Sequence, residues 1–500
     1  MPAHREKGKA ARTMKRALVI LVSAFSFQLS AFGAFTEFYC DPVNGSNVNA
    51  GSTTSGSAAY TATNGGWNSG TGVFTPTSGN PSLTVSVGDF ASVYTDGATV
   101  TGFIGRVTAV SSTTITVSTS AKSGTAPTTA GSGITCKVGG AWKGPNGAEN
   151  FPWAWLTEAL TNASSDVVRV NLKNNGLYSI TASIVDSTSG ARVFQGYSAS
   201  PGDGGKAQID GGTTGASYVL LNGNQANAVY RDLIFANNGA TGIQTAINSQ
   251  SSASLFIRCV VHDVRGTGFT VSRAIECEAY NCNQSNSGSV AAFSFSANGY
   301  AYRCIAHHNN AGNNGHGFRW LADFGTLINC ISANNSGNGF LMDAGGSQAG
   351  TMVYLNCDAY NNSGSGFIRG GSGSRTFYIQ NCNAVKNGNY GIDSAGFGAS
   401  NAEIVNCGFG SGSQANTNGS INGFSTAIVT GSVTYASGVT PWVDPANGDF
   451  RINLAAAKGA GRGAFTQTQG GYSGTVGYPD IGAAQSQGGS GVSRARTQLP

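Results

Sequence analysis

Between residues 228 and 410 the chain repeats one hydrophobic phrase. A cysteine marks it. Cys259, Cys277, Cys304, Cys330, Cys357, Cys382 and Cys407 stand 18, 27, 26, 27, 25 and 25 residues apart, in phrases such as LFIRCVVHDVRGTGF, TLINCISANNSGNGF and VYLNCDAYNNSGSGF. One step earlier Leu233 takes the marker position in VYRDLIFANNGATGI. Two residues before the marker the chain is mostly apolar (Ile257, Ile275, Tyr302, Ile328, Leu355); two after it, small or apolar (Val261, Ala279, Ala306, Ser332, Ala359, Ala384). The residue immediately before it is polar: Arg258, Glu276, Arg303, Asn329, Asn356, Asn381 and Asn406. This period-two alternation predicts short strands with the cysteine pointing inward and its polar predecessor outward. Each phrase then enters an Asn-rich turn and resumes as Gly-Phe or Gly-Ile, a second inward position.

A repeat of this length, made of strands and turns with no helical period, predicts one coil of a parallel β-solenoid. Coils stacked about 4.8 Å apart turn equivalent positions into ladders. The cysteine is then a small, apolar rung that buries as readily as valine. Single cysteines one coil apart lack the close pairs that zinc needs, and stacked parallel side chains seldom reach disulfide torsions. Cys282 falls off this ladder, as a free thiol at a turn.

With coil length, inward ladder and Asn turns in view, residues 150 to 450 resemble the right-handed parallel β-helix proteins of the pectate-lyase-like superfamily. The resemblance implies a fold more than an activity, since that superfamily includes lyases, hydrolases, epimerases, adhesins and phage tailspikes. The full expectation is an all-β chain: a right-handed parallel β-helix with an N-terminal capping helix and a small inserted β-barrel or sandwich. FYCDPVNGSN resembles the opening segment of secreted and phage β-helix proteins, and VDPANGDFRINLAAAKGAGRGAF with GYPDIGAAQ resembles the closing segment of secreted bacterial ones.

The ends divide the chain. Basic residues, the apolar run ALVILVSAFSF and the small-residue stretch SAFGA read as an export signal cleaved after Gly33 or Ala34, with Met14 an alternative start. Trp153, Leu156, Leu160 and Ala163 share one helical face, the expected cap over the first coil. Residues 83 to 138 alternate Val/Thr/Ile runs with Gly and Asp-Gly turns, the mark of a small β module that either binds a ligand or serves as a spacer. Cys40 and Cys136 flank that module and are the disulfide candidates of an exported chain. The expected divisions are 1–33 signal peptide, 34–66 opening segment, 67–143 inserted module, 144–450 β-helix with cap, 451–486 closing segment and 487–500 disordered tail.

Composition fits this picture. Gly numbers 74 of 500 residues and only 10% are charged, which favours turns over a polyelectrolyte partner. The net charge of +5 sits largely at the ends, so nucleic acid is not an expected partner, and no later segment is apolar enough to span a membrane. The expected site is extracellular and the expected partner a polysaccharide or surface glycan. No calcium motif is visible and no cofactor is implied, because acidic residues are scattered without an Asp-x-Asp pair. A lyase would need an acidic cluster and a basic residue, and a hydrolase two spaced carboxylates. The repeat region is poor in both, which leaves catalysis, as lyase or glycoside hydrolase, open. A non-catalytic, adhesin-like surface protein and a tailspike or fibre-type virion protein are the alternatives.

Two features carry candidate chemistry. His262, Tyr280 and His307 share the outward position three past the marker, an aromatic and imidazole strip that suits sugar rings or simply an exposed β-ladder. The longest turn among the aligned coils, HHNNAGNNGHGFRW, leads to Arg319, outward because Phe318 is inward, with Asp343 one coil later and Asp393 farther along. Arg319, Asp343 and His308 are the candidate catalytic groups; His307, His316, Trp320 and Asp323 are the candidate substrate contacts.

Overall fold

The computed structural model describes residues 35–457, apart from 47–48, 51, 53–54, 56, 99–102, 125, 143–166, 186–190, 224–227, 252–253, 286–289, 297–298, 310–314, 323, 344–349, 371–374, 395–400 and 425. Each repeat folds as three short strands joined by bends, and every strand pairs in parallel with its equivalent one repeat away. The result is a right-handed parallel β-solenoid with three long sheets. We call them sheet 1, of twelve strands ending at Thr426–Thr430; sheet 2, of eleven, from Leu177–Ser179 to Val433–Ser437; and sheet 3, of ten, from Ile184–Val185 to Gly419–Asn422. Coils are counted from the sheet 1 strand Val167–Lys173 as coil 1, which makes Cys259 the marker of coil 4 and Cys407 that of coil 10.

The residue before each marker is not part of a continuing strand. Asp232, Arg258, Glu276, Arg303, Asn329, Asn356, Asn381 and Asn406 all adopt left-handed backbone, with φ of 50–55°. One such residue swings the chain from sheet 1 into sheet 2, so the marker is the first inward side chain past a corner. A second corner follows four residues after the marker, at Asn237, Asp263, Asn281, His308, Asn334, Asn361 and Lys386. Asn accepts this conformation more readily than other L-residues, which explains its recurrence.

Just past the second corner a buried amide ladder runs along the axis. Asn309 donates to Asn335 (2.7 Å), Asn335 to Asn362 (2.8 Å), Asn362 to Asn387 (3.0 Å) and Asn387 to Asn416 (2.9 Å). Each amide also meets backbone groups at the bend, such as Ala306 O and Ser332 O, so no polar cost is left by their burial. Cys282 lies off the cysteine ladder, but it occupies a rung of this second one: its N–H donates to Asn309 Oδ1 and its side chain is fully buried.

The seven marker cysteines are free and buried. Each thiol lies 3.3–3.5 Å from the carbonyl two residues earlier, which the sharp corner turns inward. A small apolar side chain with a weak donor fits that place. Sheet 3 fills the opposite side with a stack of Phe269, Phe293, Phe318, Phe340 and Phe367, their centroids 4.7–5.0 Å apart.

The N-terminal end differs from expectation. Among the described residues no helix exceeds a three-residue 3-10 turn, so the described residues include no N-terminal capping helix. Trp153, Leu156, Leu160 and Ala163 lie outside the described residues. The edge is covered by β structure instead. Strand Phe35–Cys40 pairs in parallel with Val167–Lys173, satisfying the backbone groups a helix was expected to shield. Phe38 stacks on Trp142 (5.2 Å) and packs on Phe90 (5.0 Å), closing the core over coil 1.

Phe90 belongs to the inserted module, a closed antiparallel barrel of six strands from Tyr60–Asn68 to Ala130–Val138. Its interior holds Trp67, Phe74, Phe103, Val117 and Cys136. Cys40 and Cys136, expected as a disulfide, are both free thiols, one in the solenoid core and the other in the barrel core. Burial pushes both thiols up.

At the other end, the strands Trp442–Asp444 and Asp449–Ile452 form a small antiparallel pair that lies on the outer face of sheet 2. Trp442 and Phe450 meet Tyr360 edge-on, over Ile331, Ala333 and Val385. Beside this cover, Tyr435 reaches across coil 10 to donate to Asn383. A Cβ on Gly408 would lie 1.9 Å from its hydroxyl, so this crossing requires glycine there. The expected export signal and the tail at 487–500 lie outside the described residues, and no described helix is long and apolar enough to cross a membrane.

Candidate functional site

The cover on sheet 2 extends over coils 7 to 9 and stops. What remains outward on coils 3 to 6 is a grid set by the corners. The first-corner column reads Asp232, Arg258, Glu276, Arg303; the column three past the marker reads Ala236, His262, Tyr280, His307; the second-corner column reads Asn237, Asp263, Asn281, His308.

The first column alternates in charge. Arg258 makes two hydrogen bonds to Asp232, Nε–Oδ1 at 2.7 Å and Nη2–Oδ2 at 2.6 Å, while Arg231 Nε approaches the same carboxylate at 3.3 Å. One coil on, Arg303 Nη1 lies 3.3 Å from Glu276. The bond to Asp232 holds the Arg258 guanidinium above its ordinary range. Arg and Glu are poor left-handed residues, and pairing along the axis offsets that strain.

The middle column stacks. His262 and Tyr280 lie parallel with centroids 5.0 Å apart, as do Tyr280 and His307. Parallel stacking places ring edges, not faces, toward solvent. Burial, with Glu278 and Asp263 nearby, raises the Tyr280 phenol. His262 Nδ1 contacts Asp263 at 2.7 Å, and Asn281 donates to the same carboxylate.

His307 is buried between two polar groups. Its Nε2 lies 3.0 Å from Glu278 Oε1, and its Nδ1 lies 2.9 Å from Nδ1 of His308. His308 stands exposed at the corner, and its imidazole is lowered by partial burial and by His307.

The other expected group of residues sits on sheet 3. Arg319 and Asp343 do meet, with Nε and Nη2 both on Oδ2 at 3.0 and 2.5 Å. His308 is not in that pair; it belongs to the corner after sheet 2, bonded to His307. His316 is buried and accepts from Asn338 N–H at 2.9 Å through Nδ1. Desolvation, together with Arg319 and against Asp343, pushes its imidazole down to about 4. Trp320, expected at a ligand surface, is in the core instead, stacked on Phe295 at 3.9 Å. It stands two positions along the strand from the inward Phe318, with Arg319 between them, so alternation itself places it inward. Asp393 shares Arg319's outward register but is buried, accepting from Ser365 Oγ and Asn422. Asp323 lies outside the described residues.

Asp232, Asp263, Glu276 and Glu278 were missed as site residues. For Asp232 and Glu276 the signal was present in the repeat: the position before the marker alternates in sign for four coils, then becomes Asn for four. Only the corner geometry shows that these positions form one column.

No protein-family model and no curated protein matches the chain. Among solved structures it is similar to pectate lyase Pel9A, at 18% identity and TM-score 0.48, over 64% of this chain and 88% of that one. It is similar also to the A-module of the Azotobacter vinelandii mannuronan C-5 epimerase AlgE4, at 14% identity and TM-score 0.37, over 54% and 87% of the two chains. The periplasmic alginate epimerase AlgG matches at 12% identity and TM-score 0.29, over 54% and 78%.

Proposed function

We propose that this is an extracellular solenoid that contacts a polysaccharide or surface glycan along the uncovered face of sheet 2. The observation that supports this most is the end of the cover. The outer face of one sheet is sealed over coils 7 to 9, and where the seal stops the outward positions hold imidazoles, a phenol, carboxylates, guanidinium groups and amides. These groups recur once per coil along the axis, which suits a polymer of like units better than a single small molecule. The face carries four carboxylates against Arg231, Arg258 and Arg303, so a neutral, hydroxyl-rich chain suits it better than a polyanion. Ring edges and paired carboxylates offer donors and acceptors to hydroxyls.

Affinity electrophoresis in gels containing neutral or acidic polysaccharides tests the reading. Wild type is expected to be retarded by a neutral glycan, and His262→Ala with Tyr280→Ala to migrate at least about tenfold less retarded, by loss of roughly 1.4 kcal/mol. Equal retardation of wild type and double variant would move the contact elsewhere. Retardation lost only on deleting the barrel would favour that module as the binding part.

A further inference from the structure

We infer that His308 is a proton-accepting base on this face, and that Glu278 and His307 form the relay that keeps its outward nitrogen unprotonated. The inference rests on the proposed contact face only for its substrate class, a hydroxyl-rich glycan.

The proton count carries it. Glu278 Oε1 is 3.0 Å from His307 Nε2, so the carboxylate accepts an N–H from that nitrogen. A neutral His307 then has a lone pair on Nδ1. That nitrogen lies 2.9 Å from His308 Nδ1, and two lone pairs cannot face each other there. His308 must supply the proton from Nδ1, which leaves the lone pair of a neutral His308 on Nε2, the nitrogen not used by the relay. When Nε2 takes a proton, His308 becomes cationic. The shared Nδ1 proton can then shift to His307, which places the charge beside the Glu278 carboxylate. Both states keep every hydrogen bond, and the pair stores one proton.

The surroundings fit a base used near neutral pH. His307 is buried, and His308 is exposed at a left-handed corner whose neighbours along the axis are Asn281 and Asn334. Glu276 and Tyr280 stand on the adjoining coil 5, His262 and Asp263 one coil beyond it, and Arg303 at the far end of the same short strand. Partial burial and His307 lower the His308 imidazole, which keeps it neutral and receptive. Hydrolysis of an activated ester is the reaction that probes such a base. Water loses a proton to His308 Nε2 as its oxygen bonds to the acyl carbon; the bond from that carbon to the alcohol oxygen breaks, and the proton leaves with the alcohol.

Two measurements on the full chain decide it. Long-range 1H–15N spectra of histidine-labelled protein at neutral pH should show His308 protonated on Nδ1 and bare on Nε2, and His307 protonated on Nε2. The reverse assignment for His308 overturns the relay. With 4-nitrophenyl acetate as probe, hydrolysis should rise with pH through an inflection below that of free imidazole. It should fall at least about tenfold in His308→Ala, while Glu278→Gln and His307→Gln should displace the inflection. A rate and pH profile unchanged by His308→Ala overturn the base. Should wild type show the inflection but no retardation by any glycan, the relay stands and the contact reading fails. Retardation without the inflection means that the contact stands and the relay fails.

Discussion

Coils 3 to 6 and coils 7 to 10 of sheet 2 share one backbone and differ in what they show to solvent. Both turn on a left-handed residue before the marker and both bury an apolar marker behind it, Leu233 or a cysteine. In the first group that corner is Asp232, Arg258, Glu276 and Arg303, and the last three keep 38–39% of their side-chain surface. In the second it is Asn329, Asn356, Asn381 and Asn406, of which the first three are buried. The neutral corner accompanies the face that Trp442 and Phe450 cover; the charged corner accompanies the face left to water. A charge under the cover would carry a desolvation penalty that an amide avoids. The same position therefore tolerates either chemistry, and the cover decides which.

The sharpest test removes the cover. Trp442→Ala deletes a buried indole packed on Tyr360 and Phe450, and should destabilise by about 3–5 kcal/mol in urea unfolding. Native hydrogen exchange should rise in coils 7 to 9 and stay unchanged in coils 3 to 5. A uniform rise would mean that the two groups of coils are not independent units.

The histidines provide the second test. His316 is buried on sheet 3 with its imidazole down at about 4, whereas the unfolded value is near 6.5. The unfolded chain therefore binds the extra proton between those values. Stability present above the unfolded value should decline as pH falls from about 6.5 toward 4, by up to roughly 3 kcal/mol. His316→Asn, which keeps an acceptor for Asn338 N–H, should flatten that slope. An equally steep slope in the variant would assign it to other groups.

Much of this was legible in advance. The coil length, the inward cysteine and the Asn-rich turns predicted the solenoid, because period and burial are local properties of a repeat. The corner before the marker was not legible: a polar residue between apolar ones looks like an outward strand position whether its φ is negative or positive. Trp320 was misplaced by its nearness to Arg319, although counting by twos from Phe318 puts it in the core. The relay of Glu278, His307 and His308 depends on two coils brought into register by pairing, Glu278 facing Ile305 and Tyr280 facing His307, which no single phrase displays.

The corner column supplies a smaller effect. Arg258→Asn keeps a residue suited to left-handed backbone and removes the double hydrogen bond to buried Asp232, so it should cost about 1–3 kcal/mol. Asn356→Gly, the same position under the cover, should change stability by less than about 1 kcal/mol, since glycine accepts that φ freely. Equal costs measured by thermal unfolding would mean that the pairing does not offset the corner's strain.

The smallest expected change separates the two candidate surfaces. Arg319 and Asp343 face outward on sheet 3 and retain 22% and 31% of their side-chain surface. Their ion pair is therefore partly screened by water, and an exposed pair contributes about 1 kcal/mol or less. Replacing both with Ala leaves no orphaned charge between them, so thermal stability should shift by no more than that. Retardation in a glycan gel should be unchanged, because the contact proposed above runs along sheet 2. Loss of retardation in Arg319→Ala with Asp343→Ala, alongside full retardation in His262→Ala with Tyr280→Ala, would transfer the contact to sheet 3. The charged coils of sheet 2 would then be left with a structural role alone, the ion pairs holding left-handed corners where no cover reaches.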